Sequence, residues 1–252
     1  MQMSNRSAAK FDKLRAAAAR ALPHALPRAW PHACLLCGAA GCDAALCAPC
    51  MKDLPALPPV CPVCASPALD GAVCGACLRH PPQVAATLAA CTYAFPLDRL
   101  VQALKYGRTL AVAVLLADAI CAALSRRDNS PRPELLVPMP LSRPRQRERG
   151  FNQAAEIARV VARRTGIPLC HALARPVDRP AQAGLPWRER HRNVRGAFAC
   201  TTPVTGRHLA LVDDVMTTGA TIEAAAGALR AAGAARVDAW VVARALPPES
   251  AH

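Results

Sequence analysis

The sequence predicts an α/β domain, a parallel sheet flanked by helices, behind a small cysteine-rich module. Three observations predict it. After residue 84, short apolar strand patterns alternate with segments of helical period. One apolar run, His208–Val212, leads straight into two adjacent carboxylates, a small-residue turn and a helix. Ahead of these, eight cysteines recur in C-x2-C pairs.

The chain of 252 residues is long enough for one or two domains. Hydrophobic residues make up 53% but aromatics only 4%, so Leu, Val, Ile and Ala must build the core. No stretch reaches the roughly 18 to 20 uninterrupted apolar residues of a membrane span. No compact apolar signal region opens the chain, and the expected compartment is the reducing cytoplasm. Residues 1–30, rich in Ala and Arg, read as a flexible tail. Lys and Arg number 31 against 17 acids, a net charge of +14, and 27 of the bases are Arg. Between Arg126 and Arg195 there are 16 bases and 6 acids. Such a block suits an anionic partner, phosphates on a small molecule or on nucleic acid. Arg126, Arg127, Arg163 and Arg164 read equally well as solvated surface. No G-x-x-x-x-G-K-[ST] loop and no Ser-His-Asp or Cys-His set is apparent.

The cysteine pairs are Cys34/Cys37, Cys47/Cys50, Cys61/Cys64 and Cys74/Cys77, and the first four recur as the second four 27 residues on. Two cysteines three apart on a tight turn can aim both sulfurs at one point, as a tetrahedral ion requires. The simplest assignment is one Zn2+ for Cys34, Cys37, Cys47 and Cys50 and a second for Cys61, Cys64, Cys74 and Cys77. Disulfides and an iron–sulfur cluster are the rival readings. Zinc is favoured because two closed tetrahedral sites use all eight paired thiols. Cys42 has no counterpart, since Leu69 stands 27 residues later, and reads as a spare thiol. A Pro- and Ala-rich segment of this size buries little surface, so metal would supply its folding energy. The module is expected over 31–80 and the α/β domain over 84–246, with Pro81-Pro82 between them.

Thr87–Phe95 reads as a strand. Leu97, Leu100, Val101 and Leu104 mark a helix face, and Leu110, Val114, Ala117, Cys121 and Leu124 a second. Glu134–Val137 is a short strand stopped by Pro138 and Pro140, followed by a basic loop to Gly150. Ala154, Ile157, Ala158 and Val161 define a helix ended by Gly166. His208–Val212 is a buried strand. Ile222, Ala225, Ala226 and Leu229 form a helix stopped by Gly233, and Val237–Val242 is the last strand. Ligands of such sheets bind at the carboxyl ends of the strands.

The most informative segment is Leu209-Ala-Leu-Val-Asp213-Asp214-Val-Met-Thr217-Thr218-Gly219-Ala-Thr221. Backbone N–H groups of the turn and the following helix terminus can surround a phosphate dianion. Gly219 permits close approach and the Thr hydroxyls add donors. The carboxylates would repel that phosphate but suit sugar hydroxyls or a hydrated cation. A sugar phosphate therefore fits better than a bare anion.

All thirteen positions of this segment match the phosphoribosyl pyrophosphate (PRPP) motif of type I phosphoribosyltransferases. With the paired cysteine repeat, L-K-Y-G-R at Leu104–Arg108 and V-P-M-P-L-S-R-P-R-Q-R-E-R-G-F-N-Q at Val137–Gln153, the chain resembles the ComF family. That family contains competence protein F homologues and is similar to amidophosphoribosyltransferases. The resemblance implies a type I phosphoribosyltransferase fold behind a double zinc ribbon. It implies that Asp213 and Asp214 bind ribose and Mg2+-linked water, and that Thr217, Thr218, Gly219, Ala220 and Thr221 bind the 5-phosphate. Met139 and Pro140, in the loop Pro138–Arg143, would face pyrophosphate. Arg143, Arg145, Arg147 and Arg149 lie near it, with Lys105 and Arg108 as weaker anion ligands. Arg179–Asn193, with Gln182, Arg188 and Arg190, is expected either as a mobile loop over substrate or as a solvated hairpin. The acceptor would be chosen by a hood from residues 84–100 and 168–200. The implied role is PRPP binding linked to DNA uptake. The alternatives are a phosphoribosyltransferase acting on an unidentified base or amine, and a non-catalytic PRPP sensor or single-stranded-DNA-binding protein. A competence or helicase-type protein is the implied macromolecular partner.

Overall fold

The computed structural model describes residues 33–42, 45–107, 109–127, 131–176 and 196–246. The N-terminal tail, Arg108 and the Arg179–Asn193 segment lie outside the described residues. The chain divides into two compact units, Met1–Cys47 and Ala48–His252.

In the second unit, β1 (Ala86–Thr92), β2 (Leu135–Pro138), β5 (His208–Met216) and β6 (Arg236–Arg244) form one sheet in the order β1-β6-β5-β2. Every pairing in it is parallel. The two inner strands carry apolar runs, Leu209–Val212 in β5 and Ala239–Ala243 in β6, as expected of a sheet covered on both faces. Leu209, Ala210, Leu211 and Val212 of β5 are fully buried, as are Ala239, Val241, Val242 and Ala243 of β6. A short antiparallel pair, β3 (Leu173–Ala174) with β4 (Ala199–Cys200), stands apart from the main sheet. The fold expected from the sequence, a parallel sheet flanked by helices, is the one observed.

Helices α1 (Ala48–Lys52) and α2 (Gly75–Arg79) belong to the cysteine-rich region. Helix α3 (Leu97–Gly107) buries Leu97, Leu100, Val101 and Leu104, the face its period predicts. Helix α4 (Leu110–Ser125) differs from expectation. It buries Val112, Ala113, Leu115, Leu116, Ala117, Ile120 and Ala123, while Leu110 and Val114 are exposed. Apolar residues surround this helix, so spacing alone does not select the face.

The basic segment expected as a loop contains a helix, α5 (Arg143–Arg149), closed by Gly150 in the left-handed conformation at φ 78°. Pro at its first turn fits a helix start, where a missing N–H costs nothing. Helix α6 (Gln153–Thr165) is capped by Asn152, whose side chain accepts from Ala155 N at 3.3 Å. Helix α7 (Ala220–Ala231) packs Ile222, Ala225, Ala226 and Leu229 inward. β5 extends four residues past the expected strand end, which puts Asp213 and Asp214 within the strand rather than after it. No helix among the described residues is long and apolar enough to cross a membrane.

The stretch from Pro55 to Val63, which leads into the second cysteine repeat, covers the outer edge of β1. Thr87 N donates to Pro62 O at 2.8 Å and Thr92 N to Pro55 O at 3.1 Å. The hydroxyls of the same threonines donate to Val63 O at 2.6 Å and Ala56 O at 2.8 Å. An open edge strand would otherwise present unpaired backbone groups to other chains.

Candidate functional site

β2 and β5 run parallel with Pro138 opposite Val212, so both strands end on one side of the sheet. Met139 N donates to Val212 O at 2.9 Å and carries the pairing one residue further. Past this point Met139, Pro140 and Leu141 from one strand and Asp213–Thr217 from the other line a cavity of about 190 Å³. Lys105, Arg145, Arg149, Asn152, Gln153 and Arg175 complete much of its wall.

The carboxylates are held tightly. Lys105 Nζ lies 2.9 Å from Asp214 Oδ2, and Val215 N donates to Asp214 Oδ1 at 2.7 Å. Asp214 N donates to Asp213 Oδ1 at 2.9 Å. Desolvation, and next the charge of Asp214, push the Asp213 carboxyl up to about 7 from 3.8. Lys105 and Arg149 pull the other way without winning. A carboxyl with that balance ionises readily when a cation arrives.

The turn after β5 is shaped by Gly219, which has φ 83° and starts α7. An added Cβ there would lie 2.6 Å from Met216 Cε. Among the residues singled out from sequence, Lys105, Met139, Pro140, Arg145, Arg149, Asp213, Asp214, Thr217, Gly219 and Thr221 line the cavity. Thr218 and Ala220 are not among its lining residues. Thr218 Oγ1 accepts from Ala220 N at 3.3 Å and closes the first turn of α7. Arg143 is also outside it and borders a separate surface groove with Gln146 and Arg147. Helical spacing explains the split: Arg145 and Arg149 are four apart and share one face of α5. Arg149 also stacks its guanidinium over the Tyr106 ring, 5.5 Å from the centroid.

Sequence reading missed four residues. Asn152 both caps α6 and donates from Nδ2 to Met139 O at 2.9 Å, which ties the helix start to the β2 loop. An Asn directly before a helical pattern was the available signal. Gln153 is 2% exposed, and its Nε2 has no hydrogen-bond partner among the described residues. Arg175 reaches the wall from beyond β3. Arg244, at the end of β6, is buried and donates to Met216 O at 3.1 Å and to Thr217 O. Gln153 closes the Val137–Gln153 motif without that placement giving it a role, and nothing in the sequence marks Arg175 or Arg244.

The cysteine repeats share their local geometry as well as their spacing. In the first unit Gly38 N donates to Cys34 O at 2.9 Å and Cys34 N to Ala39 O at 2.8 Å. The same bonds occur 27 residues later, from Ala65 N to Cys61 O and from Cys61 N to Ser66 O, both at 2.8 Å. Cys47 N donates to Cys34 Sγ at 3.4 Å, and Cys74 N to Cys61 Sγ at 3.3 Å. The sulfurs of Cys61, Cys64, Cys74 and Cys77 all lie within 4.8 Å of one another, and those of Cys34, Cys37 and Cys47 meet the same limit within the first unit. Cys50 follows Cys47 in a C-x2-C pair.

Burial opposes ionisation of Cys34 and Cys61, but backbone N–H donors outweigh it and bring these thiols down to about 6 and about 7. Burial and the neighbouring Cys64 and Cys74 push Cys77 upward. Four crowded thiols cannot all ionise without a cation among them, and an all-sulfur tetrahedral set suits structural Zn2+. Cys42 donates to Ala39 O at 3.3 Å and stays outside the cluster, with its ionisation opposed first by burial.

Residues 25–78 match the double zinc ribbon domain family. DNA utilization protein YhgH of Salmonella typhi is 35% identical over 158 residues, which cover 61% of this chain and 70% of that protein. Competence protein F of Haemophilus influenzae is 32% identical over 160 residues with the same coverage. Among solved structures, the glutamine PRPP amidotransferase of B. subtilis is similar at 20% identity and a TM-score of 0.33, covering 51% of this chain and 24% of that one. With its cysteine repeats and the carboxylate turn on β5, and with these relatives matched over 70% of their length, the chain belongs to the ComF family of competence protein F and YhgH.

Proposed function

We propose that the cavity holds the ribose 5-phosphate end of PRPP or a related sugar phosphate together with Mg2+. We further propose that the protein acts in DNA uptake or utilization, as the names of its relatives indicate. The observation that carries the site reading is the turn at the end of β5, with paired carboxylates followed by a glycine-shaped bend into α7. Backbone N–H groups of Thr217–Thr221 suit the phosphate dianion. Asp213 and Asp214 suit the ribose hydroxyls and the water shell of the cation. Met139, Pro140, Arg145 and Arg149 suit pyrophosphate. The orphaned Gln153 amide leaves a donor in the wall for an oxygen of the ligand.

The chemistry such a site favours is electrostatic. The bond from the anomeric carbon to pyrophosphate breaks, and the departing oxygen takes the electron pair. A nucleophile then attacks the oxocarbenium-like carbon from the opposite face. The side chains named here position both ends and stabilise the charge that develops. Mg2+ would neutralise part of the pyrophosphate charge, held through Asp213 and Asp214.

A second reading has the same pocket hold a nucleotide or the end of a DNA strand. The exposed Arg143 and Arg147 on the outer side of α5 favour it, because they extend the positive surface beyond the cavity. Titration calorimetry with PRPP·Mg2+ and with single-stranded DNA separates the two. A pyrophosphate-release assay over a panel of bases and amines then tests turnover. Binding of PRPP that is lost in the Asp213→Asn, Asp214→Asn double variant supports the first reading. DNA binding that salt weakens, without PRPP binding, supports the second.

A further inference from the structure

Arg244 is a charged residue at the end of a central strand, only 6% exposed. Its guanidinium connects two parts of the second unit. On one side Nη1 donates to the carbonyls of Met216 and Thr217, which precede Thr218 and Gly219 in the turn, and to Ala245 O at 2.7 Å. On the other side Nε donates to Cys64 O at 3.2 Å and Nη2 to Ser66 Oγ at 3.0 Å. Cys64 is a member of the second cysteine cluster, and Ser66 O accepts from Cys61 N, another member. Backbone pairing strengthens the same join, because Ala245 N donates to Met216 O at 2.9 Å. The planar fork of an Arg can serve carbonyls on both sides at once, which Lys cannot.

We propose that Arg244 is the positioning residue of the 217–221 turn, and that through it metal binding at the Cys61, Cys64, Cys74 and Cys77 cluster sets the order of that turn. This rests on the phosphate-binding reading of the turn for its consequence, but not for the coupling itself. When the cluster holds its ion, the Cys64–Ser66 knuckle is fixed, and Arg244 is held between two rigid partners. When the ion leaves, the knuckle loosens and the guanidinium loses two of its five acceptors, Cys64 O and Ser66 Oγ. The carbonyls of Met216 and Thr217 then lose a fixed donor, and the N–H groups beyond them lose their common orientation. Phosphate affinity would therefore follow zinc occupancy although, among the described residues, no cysteine lines the cavity.

The test uses the full-length zinc-loaded protein, Arg244→Gln, Cys77→Ser, their double variant, and the milder Ser66→Ala. Hydrogen exchange of the peptide spanning 213–224 is read by mass spectrometry beside zinc content. Wild type is expected to protect this peptide. Arg244→Gln is expected to speed its exchange about tenfold or more while both zinc ions stay. Cys77→Ser should lose one zinc and give a similar loss of protection, and the double variant should add little to either single change. Ser66→Ala should give a smaller effect of the same sign. Additive effects of Arg244→Gln and Cys77→Ser would overturn the coupling, as would unchanged exchange in Cys77→Ser. PRPP calorimetry on the same proteins is a separate arm. If wild type fails to bind PRPP, the phosphate reading falls while the exchange data still decide the coupling.

Discussion

Replacing Asp213 by Asn tests the electrostatic account of the cavity without any ligand. The folded protein holds this carboxyl at about 7, whereas the ordinary value is 3.8. Its raised value means that the folded state binds the proton more tightly than the unfolded chain does. The resulting penalty on stability is absent below the ordinary value, grows as pH rises from there to about 7, and is constant above. Some three pH units at ~1.4 kcal/mol each give an upper bound of ~4 kcal/mol at about pH 8, which relaxation and water entry reduce to ~2 kcal/mol. Asn is isosteric and neutral, and its Oδ1 can still accept from Asp214 N. Zinc-loaded Asp213→Asn, in buffer without Mg2+, should therefore be more stable than wild type by ~1–2 kcal/mol at about pH 8. That advantage should shrink steadily toward pH 4. Urea unfolding at a series of pH values measures it. A variant that is less stable than wild type at pH 8, or whose difference does not change with pH, would refute the reasoning.

The same balance gives binding a pH dependence: PRPP·Mg2+ affinity should rise with pH up to about 7 and level off above, and Asp213→Asn should flatten the profile in calorimetry. Gly219→Ala should cost ~1–2 kcal/mol, since φ is 83° and the new methyl meets Met216 Cε, and it should weaken PRPP binding at least as much; urea unfolding and calorimetry read the two effects. Metal analysis under reducing conditions should find two Zn2+ per chain, and chelation should expose the 53–80 segment to trypsin while the circular dichroism of the α/β sheet largely remains.

Local chemistry made much of this protein legible. The 27-residue cysteine repeat predicted more than ligands, because the turn bonds at Cys34 and Cys61 repeat with it. The run from Leu209 to Thr221 was readable because buried parallel strands are continuously apolar and their first polar residues mark the sheet end. Even so, the boundary was misplaced, since Asp213 and Val215 pair with Val241 and Ala243 of β6 and keep Asp214 between them in the strand, which polarity conceals. The buried face of α4 was hidden by its uniform apolarity, and α5 by having no apolar period to detect. Arg244 was invisible for a different reason. A lone Arg after a strand reads as its solvated end, and only the fold brings the second cysteine repeat and the β5 turn to its two sides. Gln153 stands at the end of a legible motif, but its missing partner is a fact of packing rather than of spacing.

A crystal structure of the zinc-loaded protein grown with PRPP and Mg2+ addresses the central proposal most directly. The 5-phosphate is predicted within hydrogen-bond distance of the backbone N–H groups of Thr217–Thr221, with the ribose hydroxyls against Asp213 or Asp214. Density for the ligand elsewhere on the protein, or an unliganded turn at saturating PRPP, would contradict the account.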